Sequence, residues 1–287
     1  MPQAANSREG LSEMKLIVFS KMFREYSVPR LADLATAHGF DGFDLAVRPG
    51  YPINPDNAVT ALPEAAQRLG ADGLAIPMVT GNFDLLTVDH PTAEPILAAM
   101  DRADIRLIKL GYFRFVPQET DYWRYVDQIR RALDGWQELG RRYGVKVCYH
   151  THSGSFMGLN ASALMHLIRG FDPQHIGAYI DAGHLVANGE DFSLGLATVQ
   201  PYLSIVAVKD VLILRGERDG HGTEIRRWVP AGQGMVDWTT VFSELSRVGF
   251  SGPVSVHCEF EVPEDGFDAA FAREIAFFRR MAPPEAA

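Results

Sequence analysis

The stretch from Val145 to His184, VKVCYHTHSGSFMGLNASALMHLIRGFDPQHIGAYIDAGH, decides the fold. A β-rich run, Val145 to His150, is followed by a helical pattern near Ala161 to Arg169 and a second β-rich run, Ile176 to Ile180. Strand, helix and strand in that order predict two parallel strands joined by a crossover helix. Both strands end in polar groups. The first runs into His150-Thr151-His152-Ser153-Gly154, the second into Asp181-Ala182-Gly183-His184.

The same unit repeats in both directions along the chain. Upstream, β-rich runs fall at Lys15 to Phe19, Gly42 to Ala46, Gly73 to Val79 and Ile105 to Leu110. Downstream they fall at Ser204 to Val208 and Val254 to His257. Helical patterns lie between them, the longest from about Asp121 to Tyr143, where Tyr122, Val126, Ile129 and Leu133 keep helical spacing. Eight such units suit an α/β fold of one closed (β/α)8 TIM barrel, which typically needs about 250 residues. An open doubly wound sheet predicts a Gly-rich phosphate loop after an early strand. None is present, which also argues against a nucleotide cofactor. The domain reading is a lead-in over 1–13, the barrel over 14–282 and a frayed tail over 283–287. No linker divides the barrel.

Composition narrows the partners. The chain has 287 residues, 47% hydrophobic and 22% charged, which excludes a disordered chain. Its net charge of −9, with no Lys/Arg cluster, argues against nucleic acid. No apolar run approaches the roughly 20 residues that span a bilayer. The polar start from Met1 to Glu13 lacks the apolar core of a secretory signal. Cys148 and Cys258 cannot make a disulfide framework and read as buried thiols of a cytoplasmic protein. A homo-oligomer is left open.

In a barrel of this kind the site lies at the C-terminal ends of the strands. Those ends carry Asp44 and Arg48, Lys109 and Arg114, His150 and His152, Asp181 and His184, Lys209 and Asp210, and His257 and Glu259. Strand alternation puts His150 and His152 on one face with Cys148, Ala207 with Lys209, and Ser255 with His257 and Glu259. Each group has a plain structural reading. A lone strand-end His is usually a hydrogen-bonded core residue, Asp-Ala-Gly-His can be a turn and helix cap, and Lys209-Asp210 a surface ion pair. Their concentration at one barrel face favours a functional site.

The segments GFDGFDLAVRPG (Gly39 to Gly50), YHTHSG (Tyr149 to Gly154), IDAGHL (Ile180 to Leu185), AVKD (Ala207 to Asp210), VPAGQGMVDW (Val229 to Trp238) and VSVHCEFE (Val254 to Glu261) resemble the sugar phosphate isomerase/epimerase family. That family is similar to the xylose isomerase-like, AP endonuclease family 2 TIM barrels. The resemblance covers about 15 to 281. It implies a metal held by Glu, Asp, His and Glu of the fifth to eighth strands. Asp181 matches the Asp, and His184 the neighbouring His that touches substrate or a second metal. The other positions depart: His150 and His257 stand for the two Glu, and Ala207 for the His. The implied ligands are therefore His150, Asp181, His184 and His257, around manganese, zinc or iron. Alternatively Lys209 supplies the positive charge in the metal's place.

The reaction the resemblance implies is proton abstraction beside a sugar carbonyl through an enediolate. His150 or His152 on one side and Glu259 on the other would carry the proton, with Lys209 as the charged partner. Asp44, Arg48, Arg114 and His184 would hold a small polyhydroxy carbonyl substrate. A keto-sugar lyase or dehydratase, or a non-catalytic carbohydrate-binding barrel, are the alternatives. DNA repair would want more metal-ligating histidines and a basic groove. The long connection Val211 to Gly234 is expected to be a lid, with Gly232-Gln233-Gly234 bringing backbone close to the ligand.

Overall fold

The computed structural model describes residues 14–262 and 266–282, so the expected lead-in and tail lie outside the described residues. Eight parallel strands close into a barrel. They are β1 (Leu16–Phe19), β2 (Gly42–Ala46), β3 (Ala75–Thr80), β4 (Leu107–Lys109), β5 (Lys146–His150), β6 (Ile176–Asp181), β7 (Leu203–Val208) and β10 (Val254–Val256). Around the barrel the order is β1-β10-β7-β6-β5-β4-β3-β2. The eightfold alternation is therefore the closed barrel it predicts.

Alternation along each strand builds two cores. Outward residues such as Val18, Phe43, Tyr149, Val254 and Val256 join the core shared with the helices. Inward residues Ile17, Met78, Cys148, Tyr179, Ile205 and Ala207 form a separate cluster inside the barrel. One pleat further along, the inward positions become polar, because the strands there meet the barrel mouth rather than a helix.

The helices are α1 (Val28–His38), α2 (Ala58–Gly70), α3 (Ala93–Arg102), α4 (Tyr122–Tyr143), α5 (Ala161–Ile168), α6 (Ala182–Ala187), α7 (Phe192–Val199), α8 (Trp238–Arg247) and α9 (Phe267–Met281). α4 buries Val126, Ile129, Leu133 and Trp136 at spacings of three and four. Its start is fixed by Asp121, which accepts from the Arg124 N–H, and Gly144 ends it in the left-handed region. Among the described residues no helix is long and apolar enough to cross a membrane.

Of two local features, the first follows the plain structural reading and the second departs from expectation. Asp-Ala-Gly-His opens a short helix, α6, capped by Asp181, which accepts the His184 N–H at 3.0 Å. The connection after β7 is not an irregular loop. It is an antiparallel hairpin of β8 (Asp210–Arg218) and β9 (His221–Val229). Its tip, Asp219-Gly220, has φ of 54° and 76° at the two turn residues. Paired positive φ is what a tight turn between right-twisted strands requires, and Asp-Gly supplies it. That dipeptide is a hairpin signal in the sequence, masked by the charged residues around it.

Candidate active site

The mouth of the barrel holds one pocket in which β-strand ends converge. His150, His152, Lys209, His257 and Glu259 line it, with Arg48 beside them. Asp181 and His184 lie directly behind this lining. Of the expected set, two positions fall elsewhere. Arg114 is exposed and its backbone bridges to Phe156. Its side chain is not among those lining the pocket, although Tyr112, two residues earlier, is. Asp44 is fully buried below the pocket rather than at its rim.

The centre of charge is Lys209. Its Nζ donates to Glu259 at 2.8 Å and lies 3.5 Å from Asp181. Lys21 also pairs with Glu259. Burial opposes the charge on Lys209, but Asp181 and Glu259 outweigh it and hold its pKa above the ordinary lysine value. Burial likewise pushes Asp181 and Glu259 upward, and Lys209 with its neighbours brings both well below the usual carboxylate range. The ammonium and both carboxylates are therefore ionised at neutral pH.

Three of the imidazoles, His150, His152 and His184, are neutral. Burial takes His150 down to about 3 and His152 to about 4. His184 is lowered well below its ordinary value by burial and by Lys209. Their hydrogen bonds fix the proton positions at two of them. His152 Nδ1 lies 2.7 Å from the Ser153 carbonyl oxygen, which can only accept, so Nδ1 carries the proton and Nε2 the lone pair. His184 Nδ1 accepts from the Ser153 N–H at 3.2 Å, so its proton is on Nε2. His150 Nδ1 is 2.8 Å from the Tyr112 hydroxyl.

These contacts leave an opening. Asp181 Oδ2, His150 Nε2 and His184 Nε2 are buried with no hydrogen-bond partner. The two nitrogens face the oxygen at 3.6 and 3.9 Å, beyond hydrogen-bond reach. On the far side, His257 Nε2 is bonded to the Tyr179 hydroxyl at 2.9 Å, and that hydroxyl donates to Asp44 at 3.1 Å.

The set does not fit a divalent metal. A ligating imidazole needs its lone pair on the metal side, whereas the Ser153 N–H keeps the His184 proton on Nε2. His257 is engaged by Tyr179, away from Asp181, and Lys209 adds a like charge beside the would-be ion. Among the described residues no group of three or more His, Cys, Asp or Glu is arranged to hold a metal ion. The ammonium stands where Ala207 has removed the implied seventh-strand ligand.

The hairpin contributes to this site through one residue. Trp228 on β9 packs edge-on to His184 with ring centroids 4.9 Å apart, and Lys209 Nζ lies 4.4 Å from its ring. Gly183 permits this closeness, since a Cβ there would sit 2.5 Å from the Lys209 carbonyl oxygen. The Gly232-Gln233-Gly234 segment is not among the residues that line the pocket. It wraps Asp210, whose carboxylate accepts the N–H groups of Gly232, Gly234 and Val236 and the Trp238 indole. A Cβ on Gly234 would meet Asp210 Oδ1 at 2.2 Å. Asp210 is thus a buried anchor for the chain leaving the hairpin, not a surface ion pair.

Several pocket residues carry no functional expectation from the sequence, Lys21, Tyr112 and Tyr179 among them, and Lys109 is placed at a strand end without a role. Alternation places Tyr179 and Asp181 on one face of β6, so Tyr179 was within reach of the same reasoning. Tyr112 lies past the end of β4, where alternation gives no direction.

A closed parallel barrel with its titratable groups gathered at one mouth defines the TIM-barrel class. Within it the chain belongs to the xylose isomerase-like TIM barrel family, whose sequence model matches residues 32–281. Inosose dehydratase of Lacticaseibacillus casei is 25% identical over 163 residues, 53% of each chain. Inosose dehydratase of Geobacillus thermodenitrificans is 29% identical over 153 residues, 50% of this chain and 49% of that one. The chain thus spans about half the length of the curated relatives it matches. Among solved structures, the 3-keto-D-glucoside 4-epimerase of E. coli superimposes with a TM-score of 0.71 at 20% identity, covering 93% of this chain and all of the other. The IOLI protein with a bound zinc atom gives 0.69 at 19% identity, covering 94% and 98%. At these identities the likeness is one of fold.

Proposed function

We propose that the protein is an enzyme that removes a proton from the carbon beside the carbonyl of a small polyhydroxy ketone and returns it, as an epimerase or isomerase. The observation that carries this reading is the Lys209 ammonium, held in a buried pocket by Glu259 and Asp181 and flanked by neutral imidazoles. Removing a proton next to a carbonyl puts negative charge on its oxygen. A fixed ammonium in a dry pocket stabilises that charge with little reorganisation. His152 Nε2, with its free lone pair, is the proton acceptor. Glu259, on the opposite strand end, and the Tyr112–His150 pair hold or return protons. Arg48 receives substrate hydroxyls, while the buried Asp181 Oδ2, 3.5 Å from Lys209 Nζ, holds the ammonium in place. These groups suit a small carbohydrate substrate.

Dehydration is the second reading. The inosose dehydratases among the relatives favour it, and it shares the first step: the enolate then expels a neighbouring hydroxyl instead of taking back the proton. Incubation with keto-polyols in D2O tests both. Deuterium at the α-carbon with inverted stereochemistry identifies an epimerase, and an enone absorbance identifies a dehydratase. A ketone that binds without exchanging its α-proton would leave a carbohydrate-binding barrel and defeat the enzyme reading.

A further inference from the structure

The chain has 27 basic side chains, of which only five are lysines: Lys15, Lys21, Lys109, Lys146 and Lys209. Three of those five, Lys21, Lys109 and Lys209, line the one pocket described above. Two have an evident task, since Lys21 and Lys209 both pair with Glu259. Lys109 does not. It is 3% exposed, at the inward end of β4, and among the described residues it has neither a carboxylate within ion-pair distance nor a hydrogen-bond partner. Its Nζ sits 3.6 Å from the centre of the Tyr112 ring. Phe83, also in the pocket wall, stands beside that ring with centroids 6.3 Å apart. The pocket therefore contains two amines paired with Glu259 and one left free against an aromatic wall.

The geometry points to Lys109 as a catalytic nucleophile that holds the substrate's carbonyl carbon as an imine. This deepens the proposed function and rests on its reading of the substrate as a ketone. An amine attacks a carbonyl only with its lone pair free, and desolvation or a neighbouring cation frees it. Here burial, and next the Arg48 guanidinium, hold the Lys109 amine well below the ordinary lysine range. An arginine could not serve, because its guanidinium does not deprotonate in proteins.

The step balances with water and a proton alone. The Nζ lone pair forms a bond to the carbonyl carbon, and the carbonyl π electrons pass to oxygen, which takes up a proton. The carbinolamine then loses that hydroxyl as water, using one further proton while nitrogen releases one. What remains is a protonated C=N bond to Lys109. Loss of the α-proton sends the C–H electrons to that nitrogen as an enamine. Return of a proton, or departure of a neighbouring hydroxyl, follows from the same species, and water hydrolyses the product from the lysine. In this route the imine nitrogen replaces the carbonyl oxygen as the electron sink, and the Lys209 ammonium stabilises that oxygen earlier, as the carbinolamine forms and breaks.

Sodium cyanoborohydride reduces an iminium to a secondary amine, so it tests the proposal directly. The full chain is treated with dihydroxyacetone or a ketoinositol plus hydride, then digested and mapped by mass spectrometry. The expected result is a mass gain of the ketone less one oxygen atom, placed on Lys109 in preference to the other four lysines. Lys109→Arg, shown to be folded by circular dichroism, should lose the adduct. Labelling only at Lys15, Lys21, Lys146 or Lys209 overturns the proposal, and so does no labelling; if the variant does not fold, the wild-type peptide map alone decides. Deuterium exchange run in parallel separates the two failures. Exchange without an adduct refutes the imine and leaves the proposed function standing, whereas neither exchange nor adduct refutes both.

Discussion

Two fully buried carboxylates, Asp44 on β2 and Asp181 on β6, have opposite surroundings. Asp44 is enclosed by hydroxyls: Thr80 donates to it at 2.6 Å, Tyr179 at 3.1 Å and Ser255 at 3.2 Å. Asp181 uses Oδ1 to cap α6, while Oδ2 faces an ammonium and two imidazoles that stop short of hydrogen bonding. Buried polar groups are normally satisfied, so an unsatisfied one marks a place prepared for something else. Asp44 is part of the scaffold that holds Tyr179 and His257. Asp181, in the proposed function, holds the Lys209 ammonium at the site.

Removing Lys209 strikes the Asp181 side hardest. Lys209→Met leaves Asp181 and Glu259 without their shared counter-ion, and an uncompensated buried charge costs about 3–5 kcal/mol. Urea unfolding at neutral pH should show a loss of that size. A midpoint unchanged from the wild type would mean that the ammonium does not balance these carboxylates.

Asp181→Asn and Asp44→Asn separate the two environments by activity. The first should lower turnover about a hundredfold or more, roughly 2.7 kcal/mol of barrier. The second should mainly cost stability, about 1–3 kcal/mol, because an amide cannot accept from all three hydroxyls. Equal losses of turnover in the two variants would erase the distinction.

Acid should weaken the Asp181 side first. His150 and His152 have folded pKa values of about 3 and 4, below the unfolded value near 6.5. Between those limits the unfolded chain binds more protons, so stability falls as pH drops. For His150 the loss from pH 7 to 5 is about 2 kcal/mol. Asp181 and Glu259 are depressed, and their contribution is lost only as pH falls below the ordinary carboxylate range. A His150→Gln variant should therefore flatten the slope between pH 6.5 and 5. An unchanged slope would show that this imidazole is not buried neutral.

The hairpin offers the mildest probe. Replacing Leu212 to Arg227 with a short Gly/Ser turn keeps Asp210, Val211 and Trp228. It should weaken keto-polyol affinity about tenfold, or 1.4 kcal/mol, with the melting temperature of the barrel retained. Unchanged kinetics would make the hairpin a surface excursion rather than a lid.

Much of this arrangement is legible in the chain. Eight β-rich runs alternating with helical periods determine a closed parallel barrel, because parallel strands need crossovers and crossovers need helices. Period-two alternation turns His150 inward at the end of β5, and His152, Lys209, His257 and Glu259, all within three residues of a strand end, join it in one pocket. The Asp-Gly of the hairpin was equally legible.

Other features depend on distance in space. Asp44 in the middle of β2 and Asp181 at the end of β6 are both buried strand carboxylates, and only the tertiary structure gives one a hydroxyl shell and the other an open edge. Arg114 lies beyond the strand, where periodicity no longer orients a side chain. The proton on His184 Nε2 is set by a backbone N–H from Ser153, 31 residues away in sequence. Whether Lys109 and Lys209 are paired or free depends on which carboxylates come within about 4 Å. Sequence alternation fixes the face a residue points to, while charge, protonation and partnership depend on three-dimensional neighbours that no local pattern encodes.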